Sequence, residues 1–316
     1  MSITMKDVFI TWNNSLTSAN TMKKYNLSVK LYFHMVLGKE PYDISESDLK
    51  NLSYGDTVNK FVAPLRDKGV KDSTIKSHLI AVRSFVKMIR REKIFSGIDF
   101  GELSSYVLTV ESLSTRDTKH HAALSLSELN DMEEWLREKE YQGKNEGLGE
   151  KYALLIDFMY KTAVRVSATF HITWASFTLM NSPYGGDWAE LNVIDKGRKF
   201  NTKYLDKKYY DRLKRVFYNG NDDEEVFGSL SQNTLRNYFR EYSEKIGRNV
   251  VIHSLKAGAA TTLYAQTKDL LLVRDFCDHE SVSVTENYIH TQKNPNETGT
   301  AIFAMKGGLH FMASLS

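Results

Sequence analysis

Four side chains near the C-terminal end have the types and spacing to act on a phosphodiester. They are His253, Lys256, His279 and Tyr288, separated by 3, 23 and 9 positions. A tyrosine hydroxyl can serve as a covalent nucleophile when its proton is taken up and the charge on the attacked group is stabilised. Phosphoryl transfer asks mainly for cations and hydrogen-bond donors around the non-bridging oxygens, and two histidines and a lysine can supply them. Any one of these residues alone would ordinarily be structural, Tyr288 being one of 17 tyrosines. The weight lies in the set.

The elements that position them can be read from the same stretch. His253 and Lys256 share a run with helical spacing (Leu255, Ala259, Leu263), which predicts that both project from one face of a first helical turn. A helix start also attracts phosphate through its free N–H groups and its dipole. Lys268 to Cys277 reads as a second helix, broken by Asp278, His279 and Glu280. A third helix opens with Ser283 and Glu286 in capping-box spacing and carries Tyr288. Upstream, Lys151 to Phe170 reads as a helical stretch with Arg165 near its end, beside Leu154, Ile156, Phe158 and Met159. An arginine in such apolar company must snorkel out or find an anion. Residues 189 to 206 alternate Leu191 and Val193, turn at Lys196-Gly197-Arg198 and resume with Phe200, a β-hairpin pattern.

Taken together, these residues resemble the tyrosine recombinase (phage integrase) family, whose signature is His-x-x-Arg, then His or Trp, then the nucleophilic Tyr nine residues on. Thr162-Ala163-Val164-Arg165 fits the family's first arginine motif, and Asp195-Lys196-Gly197 fits its hairpin lysine. The resemblance implies that Tyr288 attacks DNA to leave a 3′-phosphotyrosyl link. Arg165, Lys256 and His279 would hold the non-bridging oxygens, His253 would accept or donate a proton, and Lys196 would protonate the leaving 5′-oxygen, with Lys199 as the fallback. The link conserves the bond energy, so neither ATP nor a metal is required. It further implies a homotetramer on double-stranded DNA with an imperfect inverted-repeat core site, a Holliday junction intermediate and an accessory directionality factor. Two positions depart from the pattern. Lys256 stands where the family usually has its second arginine, a point charge in place of a bidentate fork. Ala168 stands where an acidic residue commonly follows the first arginine by three, so another group must do any orienting that carboxylate did. The rival readings are a type IB topoisomerase relative, which relaxes DNA without strand exchange, and a DNA-binding module that has lost the reaction.

The remainder of the chain fits this frame. Its 316 residues, 41% hydrophobic, suffice for one large or two ordinary domains. Net charge is only +3, but residues 1 to 100 hold 16 Lys and Arg against 10 Asp and Glu. One cysteine excludes an internal disulfide, and the sequence shows neither a signal pattern nor a membrane-length apolar run, which predicts a cytoplasmic protein, nucleoid-associated as the resemblance implies. The fold class expected is mainly α with a small β-sheet or hairpin. An all-helical core-binding domain would span 1–95, a linker 96–122 and a mixed α/β catalytic domain 123–316. In the first, Ser18 to Val36 and Asp72 to Lys93 read as helices, the second with a buried Ile75, Leu79, Val82, Val86, Ile89 stripe and a basic face of Lys76, Arg83, Lys87 and Arg90. That face, and Arg236 and Arg240 on a helix over 231–246, are candidate DNA-backbone contacts. His120 and His121 lack the neighbours of a metal site. A chain that starts almost directly at the core-binding part leads to the expectation of no separate arm-binding domain, and the apolar segment Thr300 to Met305 would dock on a neighbouring subunit or on its own domain.

Overall fold

The computed structural model describes residues 3–114, 122–139, 147–181, 185–195 and 199–286, with the side chains of Asp195 and Lys199 left out. The chain divides into two units, Met1–Lys119 and His120–Ser316.

Among its described residues the first unit is helical throughout, and its starts are written in short polar signals. α1 (Met5–Asn14), α3 (Glu46–Lys50) and α4 (Tyr54–Thr57) each begin on a Ser or Thr whose hydroxyl accepts the backbone N–H three residues on, where an Asp reaches back. α2 (Ala19–Leu37) starts on Ser18 and stops at Gly38, whose φ of 68° the missing Cβ allows. A π turn over Val58–Val62 joins α4 to α5 (Ala63–Asp67). α6 (Asp72–Glu92) buries the predicted apolar stripe together with Phe85. Trp12 of α1 packs on Phe85 at 5.1 Å between ring centroids, and its indole N–H donates to Ser84 Oγ at 3.1 Å.

The structure corrects the expected linker. Asp99 caps α7 (Phe100–Glu102), a π turn follows over Leu103–Val107, and Leu103, Leu108, Val110 and Leu113 are buried in the same core as α2 and α6. This stretch lacks a regular period because its apolar residues pack from turns as well as from one helix face. Arg83 holds it down, donating to Leu108 O at 3.2 Å and to Thr109 Oγ1 at 2.6 Å.

The second unit is built around α9 (Leu148–Thr162), buried at every position from Tyr152 to Tyr160. α8 (Leu126–Glu138) starts on a capping box of Ser125 and Glu128 and packs against it. After the short α10 (Val166–Thr169) comes a three-stranded antiparallel sheet in the order β1-β2-β3. The strands are Phe177–Asn181, Asp187–Asp195 and Lys199–Asp206. The hairpin of β2 and β3 was predicted; β1 was not, because its short, mostly exposed run has no apolar alternation. The inner face carries Ala189, Leu191, Val193, Leu205 and, unexpectedly, Lys203, which lies opposite Leu191. Phe200 faces outward and is 79% exposed, contrary to a reading that resumed the apolar alternation there. α11 (Lys207–Phe217) and α12 (Gln232–Lys245) follow. The chain then runs into α13 (His253–Thr267), α14 (Leu270–Phe276) and α15 (Val282–Glu286). Ser281, not Ser283, caps α15, accepting from Val284 N–H at 3.3 Å.

Candidate active site

Arg165 is placed by a broken helix. The expected run from 151 to 170 ends at Thr162, where Ala163 takes a left-handed φ of 51° and redirects the chain. Arg165 then becomes the residue before α10, its carbonyl accepting the N–H groups of Ala168 and Thr169 at 2.9 Å each. The redirection lifts the guanidinium from the buried α9 row, leaving Arg165 half-buried. Ala168, 5% exposed, brings no carboxylate to it.

His253 and Lys256 occupy the first turn of α13, as their spacing predicts. This turn is fixed in depth by contact with the chain before α8. Leu124 N–H donates to Ser254 O at 3.0 Å, and a Cβ on Gly258 would lie 1.9 Å from Leu124 O. The approach leaves His253 half-buried and Lys256 only 3% exposed. The ammonium of Lys256 is buried without a hydrogen-bond acceptor among the described residues. A buried cation with no acceptor costs free energy that an incoming anion would recover.

His279 closes the site from the other side. α14 ends in a Schellman turn: His279 N–H donates to Arg274 O at 3.0 Å and Asp278 N–H to Asp275 O at 3.2 Å, with Asp278 at φ 53°. His279 is 8% exposed, and its Nδ1 lies 3.1 Å from the hydroxyl of the fully buried Thr285. Lys203 reaches the same turn from β3, with its ammonium 2.5 Å from both Phe276 O and Asp278 Oδ2.

Charge shows that these residues share one site. Burial, then Arg165, push Lys256 down from the ordinary lysine range to about 8, with Lys203 acting in the same sense and Asp278 against it. Burial, followed by Lys256, Arg165, His253 and Lys203, brings His279 down to about 3, so its imidazole is neutral at physiological pH. Residues from β3, the α9–α10 turn, α13 and the α14–α15 turn therefore act on one another as one cluster of positive charge, suited to an anion that accepts several hydrogen bonds. Lys196 and Tyr288 lie outside the described residues, as do His120, His121 and the segment from Thr300 to Met305.

The other candidates separate. Arg236 and Arg240 are exposed and line a cleft of about 730 Å3 that also includes Val166, Arg248 and His253. On α6, Lys76, Lys87 and Arg90 are exposed. Arg83 differs from its expected role as a DNA contact, because its guanidinium holds the 108–109 segment. Lys199 opens β3 opposite Asp195. Sequence reasoning missed Lys203, Asp278, Thr285 and Gly258; the only trace was a lysine at an inward position of β3.

Comparison with known proteins accounts for this arrangement. Residues 129–295 match the phage integrase family, and residues 12–93 match the phage integrase N-terminal SAM-like domain. The chain belongs to the phage integrase family. Its relatives there include an SPbeta prophage-derived probable integrase/recombinase of Bacillus subtilis, 25% identical over 87% of this chain and 74% of that protein. Another is the tyrosine recombinase XerD of Chlorobaculum tepidum, 23% identical over 75% of this chain and 77% of the relative. Among solved structures, XerH site-specific recombinase on its difH substrate superimposes with a TM-score of 0.67 at 20% identity, covering 95% of this chain and 84% of the other. A lambda integrase dimer on a core site gives 0.62 at 12% identity, over 92% and 97% of the two chains. Family membership makes the protein a DNA strand-transferring enzyme of the tyrosine recombinase class.

Proposed function

We propose that this phage integrase family member cleaves and rejoins DNA at a specific core site through Tyr288. The phenolic oxygen attacks a DNA phosphate, forming the 3′-phosphotyrosyl bond as the bond to the 5′-oxygen breaks, and Lys196 gives that oxygen its proton. Arg165, Lys256 and His279 stabilise charge on the non-bridging oxygens, while His253 takes up or supplies a proton beside them. Thr285 has one hydroxyl proton. Ser281 O at 3.3 Å and His279 Nδ1 at 3.1 Å are its two acceptors; when it goes to Nδ1, the imidazole's own proton stays on Nε2, the nitrogen able to donate to phosphate. A 5′-hydroxyl from a partner strand reverses the step. Two rounds within a homotetramer on paired, imperfect inverted-repeat sites pass through a Holliday junction, with an accessory factor setting direction. Strand transfer conserves the phosphate bond energy, so ATP has no part in the balance. The substrate places the protein in the cytoplasm with the nucleoid.

The observation that carries this reading is the buried Lys256 ammonium, without an acceptor among the described residues and under the charge of Arg165. Covalent capture tests it. The protein is incubated with sheared host and element DNA and denatured, and the linked fragments are sequenced, with Tyr288→Phe alongside. Adducts that require the tyrosine and gather at one inverted repeat are expected. DNA binding without adducts from either protein would overturn the catalytic reading.

A further inference from the structure

The turn before His279 is built from a residue poorly suited to it. Asp278 holds a left-handed φ of 53°, a conformation in which a Cβ costs about 1 kcal/mol and glycine is usual. Its carboxylate also sits at the carbonyl end of α14, where the helix dipole disfavours negative charge. Lys203 is equally out of place, 5% exposed on the inner face of the sheet among Ala189, Leu191, Val193 and Leu205. Each is tolerable because of the other: they pair at 2.5 Å, and the same ammonium takes Phe276 O, so β3 is tied directly to the last turn of α14. A buried ion pair is a poor source of stability compared with apolar packing. Two locally unfavourable residues in contact, adjoining a catalytic pocket, call for another role.

We propose that Lys203 and Asp278 are positioning residues of the strand-transfer site: the pair ties β3 to the end of α14 and so fixes the His279 turn, while its two charges act on Lys256 in opposite senses without hydrogen-bonding to it. This rests on the reading of the pocket as a phosphate site. The charged and titratable groups acting on Lys256 are Arg165 from the α9–α10 turn, Lys203 from β3, and Cys277 and Asp278 from the end of α14. His253 stands one turn before it on α13, and His279 follows the α14 turn. Asp278 favours the Lys256 ammonium and Lys203 opposes it, so removing one or the other shifts Lys256 in opposite directions.

The test uses the full chain labelled with 13Cε-lysine, the Lys256 resonance being assigned by its loss in Lys256→Met. Asp278→Asn is expected to lower the Lys256 titration midpoint and Lys203→Met to raise it, each by roughly one pH unit. On the captured DNA site, single-turnover adduct formation by Asp278→Asn then fails about one unit lower in pH, roughly tenfold down on the alkaline limb. The double variant Lys203→Met/Asp278→Gly removes both charges and gives the turn its preferred residue, so it keeps the fold. It is expected to form adduct at least about tenfold more slowly than the wild type. A Lys256 midpoint unmoved in both single variants, or a double variant that reacts at the wild-type rate, overturns the proposal. If the wild type forms no adduct at all, the catalytic reading falls, and the lysine titration alone decides the role of the pair.

Discussion

At the residue scale, the site balances cations against burial, and Lys256 shows the consequence. Its ammonium titrates near 8, well under the ordinary lysine value of about 10.4. Between those values the unfolded chain holds a proton that the folded chain has released, so stability rises with pH across that window. In the proposed mechanism strand transfer needs the ammonium, so it runs the other way. Single-turnover adduct formation is expected to decline as pH rises through about 8 while the chemical-denaturation midpoint increases. Lys256→Met separates the two. Removing the buried charge is expected to stabilise the fold by about 2 kcal/mol and to slow adduct formation by roughly 100-fold or more. Thr285→Val tests the imidazole on the other side of the pocket. Without the hydroxyl at 3.1 Å, His279 Nδ1 loses the partner that selects its tautomer, and adduct formation is expected to fall about tenfold with little change in DNA affinity. At this scale the sequence was legible where types and spacing suffice, as for His253, Lys256 and His279. It was silent on Lys203, Asp278 and Thr285, which matter through neighbours far away in the chain.

At the element scale, the site depends on where helices stop and how closely they approach. The α9 pattern continued in sequence through Arg165 to Phe170, because apolar spacing does not register a single left-handed residue. Ala163 at φ 51° supplies the break, and Arg165 owes its position to it. α13 shows the complementary limit. Its first turn was predicted from residue spacing, but its depth is fixed by Gly258 against the Leu124 carbonyl, a contact between segments more than a hundred residues apart. Gly258→Ala forces backbone to move and is expected to destabilise the second unit by about 3 kcal/mol, displacing His253 and Lys256 with it. Thermal unfolding and adduct formation should therefore drop together in that variant. For Lys256→Met they move apart, which distinguishes a positional defect from a chemical one.

At the scale of the whole molecule, the proposed function divides chemistry from attraction between the two units. The second clusters Arg165, Lys203 and Lys256, whereas the first carries a positive excess, 16 Lys and Arg against 10 Asp and Glu over residues 1 to 100. Its α6 shows Lys76, Lys87 and Arg90 to solvent, while Arg83, read from the sequence as one of the same face, donates to the Leu108 carbonyl and the Thr109 hydroxyl. Helical spacing separates an apolar stripe from a polar face but cannot tell a solvated arginine from one engaged by its own fold. The distinction predicts different outcomes. Replacing Lys76, Lys87 and Arg90 by glutamine should leave thermal stability nearly unchanged and weaken binding to specific and random duplexes alike. Each lost phosphate contact flattens the slope of log affinity against log salt by about 0.9, so the triple variant should lose up to roughly 3 from that slope. Arg83→Gln should lower stability by about 1–2 kcal/mol through the two broken hydrogen bonds. Its salt slope should match that of the wild type. A salt dependence that changes in Arg83→Gln but not in the triple variant would place the DNA-facing charge elsewhere on the first unit.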